Sequence, residues 1–148
     1  MLSKIGIVTT TLILIFSILI IYNSLSSLKS NEVSIKKIIY SLNFYQLIFS
    51  LLTFLILLIG FVTSDFSLIN VFENSHTEKP LFYKISGVWG NHEGSLLLWI
   101  NILIIFSFLF FHFNMKKNKK FCLLTLIFQN FLILGFVLFL LINSNPFS

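Results

Sequence analysis

The residues best suited to chemistry lie in one run, Trp89-Gly90-Asn91-His92-Glu93-Gly94-Ser95, followed directly by Leu96-Leu97-Leu98-Trp99. A small polar residue ahead of an apolar run is a helix-start signal, so Asn91 is expected to cap a helix. Glu93 then falls in the first turn, where the helix dipole favours an anion. His92 supplies an imidazole that can accept a proton or a metal. On helical spacing His92, Ser95 and Trp99 share one face, while Glu93 and Leu97 lie on another. Gly90 and Gly94 permit close approach of another backbone or of a flat ligand. Two readings stand side by side. His92 and Glu93 form a hydrogen-bonded start to a helix, or they act directly, and both are catalytic candidates.

Elsewhere the chemistry is sparse. His76 lies in a polar turn and reads as solvated. His112 sits near a lysine cluster and reads as an interfacial anchor. Cys122 is the single cysteine, so it forms no internal disulfide and reads as a buried, inert thiol. Asn101 and Ser107 lie inside an apolar run and are expected to join helices by hydrogen bonds. The sequence holds no His-x-x-x-His pair, no phosphate loop and no Ser/His/Asp arrangement, so no metal site is expected.

The elements that must position these residues are membrane helices. The 148 residues are 57% hydrophobic and 10% charged, with a mean hydropathy of +0.97. Soluble domains carry about 25% charged residues. A spanning helix needs about 20 mostly apolar residues. Four runs meet this: 5–25, 42–62, 95–113 and 121–142. The expected fold is all-α, a single transmembrane module over 1–148 with one long loop at 64–94. No two-face hydrophobic pattern and no internal repeat are apparent.

All ten cations are lysine, and alanine is absent. This fits coding bias in an AT-rich genome. Lys29, Lys36 and Lys37 lie in the first connection with Glu32; Lys116, Lys117, Lys119 and Lys120 lie in the third. The long loop instead carries Asp65, Glu73, Glu78 and Glu93 against Lys79 and Lys84. By the positive-inside rule the short connections face the cytoplasm or matrix, and the loop and both termini face the outer side. The lysines therefore read as a topology signal, and no nucleic-acid partner is expected. The first run could alternatively be a signal peptide. The long loop holds Phe66, Val71, Phe72, Phe82, Tyr83, Val88 and Trp89, which disfavours disorder and suits an interfacial position. Ser64 or Asp65 is expected to cap a short helix through Phe72. Residues 74–80 read as a polar turn, and 83–89 return the chain to the membrane.

The segment Phe61 to Trp99 closely resembles the N-terminal part of the CcmF family, above all in the strings VTSDFS (62–67) and YKISGVWGNHEGSLLLW (83–99). CcmF proteins are membrane subunits of cytochrome c haem lyases. The resemblance implies a part in cytochrome c maturation on the outer membrane face. The cofactor handled would be haem, and the partners the remaining CcmF portion, a haem chaperone, apocytochrome c and its thiol-handling partner. Trp89, Gly90, Asn91, Gly94, Ser95 and Trp99 would then shape a partner or haem surface beside His92 and Glu93. The family's second tryptophan-rich segment is missing, since the chain has only Trp89 and Trp99. No haem-ligand role is therefore carried onto His76, His92 or His112. The chain is read as a split or truncated N-terminal piece, a haem lyase subunit that is not catalytic alone. Its expected home is the mitochondrial inner membrane, with the bacterial plasma membrane as the alternative. A purely structural assembly subunit and a small haem-transport protein are the competing functions.

Overall fold

With lipid in place of water, a spanning backbone must satisfy its own hydrogen bonds, and a helix does this within one segment. The computed structural model describes residues 1–29, 33–115 and 118–148, with side chains at 33–35 undescribed. Glu32, Lys116 and Lys117 lie outside the described residues. Among the described residues there are six helices: α1 (Leu2–Lys29), α2 (Val33–Thr63), α3 (Ile69–Asn74), α4 (Leu81–Gly87), α5 (His92–Asn114) and α6 (Lys119–Asn143). There is no strand among the described residues. Four of these helices are long and apolar enough to cross a membrane. Both prolines, Pro80 and Pro146, fall outside the helices, where their missing N–H costs nothing.

The four long helices form a ring. α1 packs on α2 and α6, and α5 packs on α2 and α6. The connection from α2 to α5, including α3 and α4, closes one end, which both chain termini share. The C-terminal ends of α1 and α5 and the N-terminal ends of α2 and α6 lie at the other end, with Lys29, Lys36, Lys37, Lys119 and Lys120. Helices outrun the apolar stretches that reveal them. α2 has 31 residues, which span about 46 Å at 1.5 Å per residue. The hydrocarbon core is only about 30 Å thick.

The core has two apolar layers. Near the loop end it includes Ile13, Leu57, Phe61, Leu97, Ile104, Ile133 and Leu140. Near the lysine end it is Ile20, Ile39, Phe111, Cys122, Leu123 and Leu126. Between them lies a polar layer. Gln46 Nε2 donates to Ser17 Oγ at 2.8 Å and to Asn130 Oδ1 at 3.1 Å, and Ser107 Oγ donates to Asn43 Oδ1 at 3.5 Å. Each of the four long helices contributes. Bonds of this kind between membrane helices average only about 0.6 kcal/mol, so they fix register more than they add stability.

The long loop is more structured than a polar turn between spans. α2 ends with Ser64 in the left-handed region at φ 54°. Asp65 N–H donates to Gly60 O at 2.9 Å and Ser64 N–H to Phe61 O at 3.2 Å, a Schellman closure. The expected cap at Ser64 or Asp65 is therefore corrected. Asp65 Oδ1 accepts from Ser67 N–H at 3.1 Å in a turn, and α3 begins only at Ile69, after Leu68 with no side-chain cap.

Candidate functional site: the capped start of α5

Asn91 caps α5 as expected. Its backbone is extended at φ −111°, ψ 168°, and its Oδ1 accepts from Gly94 N–H at 2.7 Å. The same Oδ1 accepts from Asn70 Nδ2 at 3.3 Å, and Asn91 Nδ2 donates to Gly87 O at 2.9 Å. One side chain thus joins α3, α4 and α5. Asn70 is itself buried and accepts from Asn74 Nδ2 through its backbone oxygen at 2.9 Å. Gly94 is where close approach occurs: a β-carbon there would fall on the Val88 carbonyl. The chain's own backbone fills that space. At Gly90 the nearest atom to a β-carbon would be Ser86 O at 3.3 Å, so this glycine serves the local turn.

His92 is exposed, and Glu93 lies in the first turn of α5, half-buried. His92 Nδ1 lies 3.3 Å from Ser144 Oγ, and its ring stands edge-on to Phe139 at 6.3 Å between centroids. Ser95 Oγ donates to His92 O at 2.9 Å. His92 and Trp99 are both exposed along α5, on either side of half-buried Ser95, which matches the shared face read from spacing. Trp89 is 42% and Trp99 63% exposed. The C-terminal residues join this end. Phe147 is fully buried and its ring covers Gly6, while Ser3 Oγ donates to Phe147 O at 2.6 Å and Ile69 N–H to Ser148 O at 2.9 Å.

Other contacts brace the loop. Lys84 Nζ donates to Ser64 Oγ at 2.6 Å and Lys79 Nζ to Asn74 O at 2.9 Å. The Ser67 hydroxyl, and then its backbone N–H, hold the Asp65 carboxyl below the usual carboxylate range. His76 lies exposed in the turn before Pro80. His112 stands at the opposite end, its Nδ1 3.3 Å from Tyr40 OH.

No group of three His, Cys, Asp or Glu side chains converges among the described residues. Phe139, which the His92 ring meets, helps line an apolar groove of about 450 Å³ with Leu96, Phe131, Leu132, Gly135 and Phe136. The site can present an imidazole, a carboxylate and two exposed indoles at one end of the bundle.

Sequence reasoning missed Asn43, Gln46 and Asn130. The signal was present in α2, where Asn43, Gln46, Ser50 and Thr53 recur at alternating steps of three and four, and all four are buried.

Four long apolar helices packed in a ring define a multi-pass membrane protein. No family model matches the chain. Sequence similarity places it more closely. It is 49% identical to the cytochrome c-type biogenesis protein CycK of Rhizobium meliloti over 98 residues, 65% of this chain and 14% of that protein. CycK of Bradyrhizobium diazoefficiens is 48% identical over 102 residues, 69% of this chain and 16% of that protein. CcmF of Escherichia coli, also a cytochrome c-type biogenesis protein, is 38% identical over 95 residues, 64% of this chain and 15% of that protein. A solved structure of the cytochrome c haem lyase CcmF matches 100% of this chain and 25% of its own, with TM-score 0.88 and 24% identity, which establishes the fold. The chain is homologous to the N-terminal region of the CcmF/CycK/Ccl1 cytochrome c biogenesis proteins. It spans about 15% of the length of these relatives.

Proposed function

We propose that this chain is the N-terminal module of a CcmF-type cytochrome c haem lyase and acts in cytochrome c maturation. The observation that supports this most is the 49% identity to CycK, carried over 65% of the chain. In this reading the four helices pack with the remaining part of the lyase, and the loop end faces the compartment where haem is attached. The lysine asymmetry supports that orientation. The membrane is the mitochondrial inner membrane, with the loop toward the intermembrane space, or the bacterial plasma membrane, with the loop toward the periplasm. His92 and Glu93, with Trp89 and Trp99 nearby, offer the surface for the haem chaperone or for apocytochrome c with its thiol-handling partner.

A second reading is favoured by a specific observation. Asn91 and Gly94 spend their special properties inside the chain, on the cap and on Val88. This supports a structural module whose loop end serves assembly alone. Disrupting the coding sequence should abolish holo-cytochrome c, read by haem staining, and the affinity-tagged chain should carry the rest of the lyase with it through purification. Undiminished cytochrome c in the disrupted strain removes the lyase assignment. Lost cytochrome c in the disruption, with full rescue by a His92→Ala, Glu93→Gln double variant, selects the structural reading.

A further inference from the structure

We propose that α3 and α4 form a membrane-surface anchor, inserting their exposed aromatic and aliphatic side chains into the headgroup–acyl boundary of the leaflet at the loop end. Phe66, Ile69 and Phe72 are exposed around α3, and Leu81, Phe82 and Tyr83 on the first turn of α4. Phe72 is 66% and Phe82 77% exposed. Large exposed apolar patches mark a surface that something covers.

The depth of the two helices says what covers it. Leu68, the residue before α3, reaches to 2.7 Å from where a Gly60 β-carbon would stand, and Val71 of α3 lies 3.6 Å from the same point. A β-carbon at Gly87, at the end of α4, would stand 3.3 Å from the Phe61 ring. Gly60 and Phe61 belong to the last turn of α2 and to its apolar run. Leu68, Val71 and Val88 accordingly join the same buried cluster as Phe61 and Leu97. The short helices therefore lie beside the end of the span and not above it in water. Side chains turned outward at that level meet lipid at the interface, where amphipathic aromatic rings are favoured.

The polar groups agree. Lys79 and Lys84 turn back onto Asn74 O and Ser64 Oγ, while Glu73 and Glu78 stay exposed. A helix of six or seven residues is not stable alone in water. Packing on α2 from one side and lipid from the other accounts for both helices. The inference needs the membrane spans but not the lyase assignment, so either can fail without the other.

The chain has two tryptophans. In the full chain with Trp89→Phe and Trp99→Phe, Phe72→Trp or Phe82→Trp places a single reporter on each helix. Reconstituted into phosphatidylcholine vesicles, both reporters should lose emission to lipid brominated near the headgroup and far less to aqueous iodide. Phe106→Trp in the same background, exposed mid-span, marks the deep limit with lipid brominated near the chain end. Quenching of the α3 and α4 reporters by iodide and not by bromolipid overturns the anchor and assigns the patch to a soluble protein partner. Protection from both quenchers in the assembled lyase overturns it in favour of an intramembrane protein contact.

Discussion

The two ends of α5 carry the same contact in different settings. His92 at its start lies 3.3 Å from a serine hydroxyl, and His112 in its last turn lies 3.3 Å from a tyrosine hydroxyl. Both are exposed, and both stand against aromatic rings: His92 near Phe139, His112 near Tyr40, Phe108 and Phe113. A hydroxyl-bonded histidine is therefore no signal of function here. The difference lies around it. The loop end adds the Asn91 junction, a glycine closed in by the Val88 carbonyl, two surface helices and the folded-back C-terminal residues. The lysine end has short connections and cationic side chains. A membrane protein can use one end of a helix as an anchor and elaborate the other into a surface.

Glycine substitutions break this comparison most severely. Gly94→Ala drives a β-carbon into the Val88 carbonyl, which backbone cannot yield without moving the α4–α5 turn. It should cost about 3 kcal/mol or more, at the upper end for overpacking. Gly135→Ala, where a β-carbon would meet nothing within 4 Å, should cost nothing. Thermal unfolding in detergent compares the two. Equal melting temperatures would mean that Val88 is not packed on α5.

The helix caps come next. Asn91 and Asn118 cap α5 and α6 from opposite ends, at 2.7 and 3.2 Å. Asn91→Ala also releases Asn70 and Gly87, so it should cost about 2 kcal/mol, against about 0.5 kcal/mol for Asn118→Ala. Hydrogen exchange should rise at α3 and α4 in the first variant and stay at the first turn of α6 in the second. Matching exchange patterns would demote Asn91 to an ordinary cap.

The histidines sharpen the functional contrast. His92→Ala and His112→Ala should each change stability by only about 0.5 kcal/mol, as exposed positions do. Only His92→Ala should lower holo-cytochrome c, and by several-fold, with the amount of membrane-inserted chain unchanged. Equal yields from both variants would place His92 with His112 as an interfacial residue.

The spans and the Asn91 cap were legible because each rests on local sequence: a lipid-length apolar run, and an asparagine three residues before Gly94. The packing was legible only in part. Hydrophobicity shows no face in a chain that is apolar all round, but small and polar residues do. Gly6, Thr10, Ser17, Ser24 and Ser27 line the buried side of α1 at multiples of about 3.5 residues, as interhelical contacts between small residues require. The site divided along the same line. Asn91 could be read from its neighbours, whereas Val88, Asn70 and Ser144 reach the start of α5 from positions 4, 22 and 52 residues from His92. No local pattern announces them. Asp65 misled for the opposite reason. It carries a cap-like sequence, but α2 continues to Thr63 and leaves it in the closing turn.

That turn gives the smallest expected effect. The bonds from Ser67 favour the ionised carboxylate of Asp65, so its folded pKa lies below the unfolded value. The stabilisation is present above the ordinary aspartate value of about 3.9 and fades as pH falls through the folded value. Asp65→Asn removes the titration while keeping an oxygen that can accept from Ser67 N–H. The stability difference between the native chain and Asp65→Asn should therefore be small near neutral pH and shrink below about pH 4. Lys84→Met, which frees Ser64 Oγ on the same turn, should lower stability without this acid-dependent loss. A difference that persists unchanged into acid would show that the Ser67 contacts do not depend on the charge of Asp65, and that the turn is held by the Gly60 and Phe61 carbonyls alone.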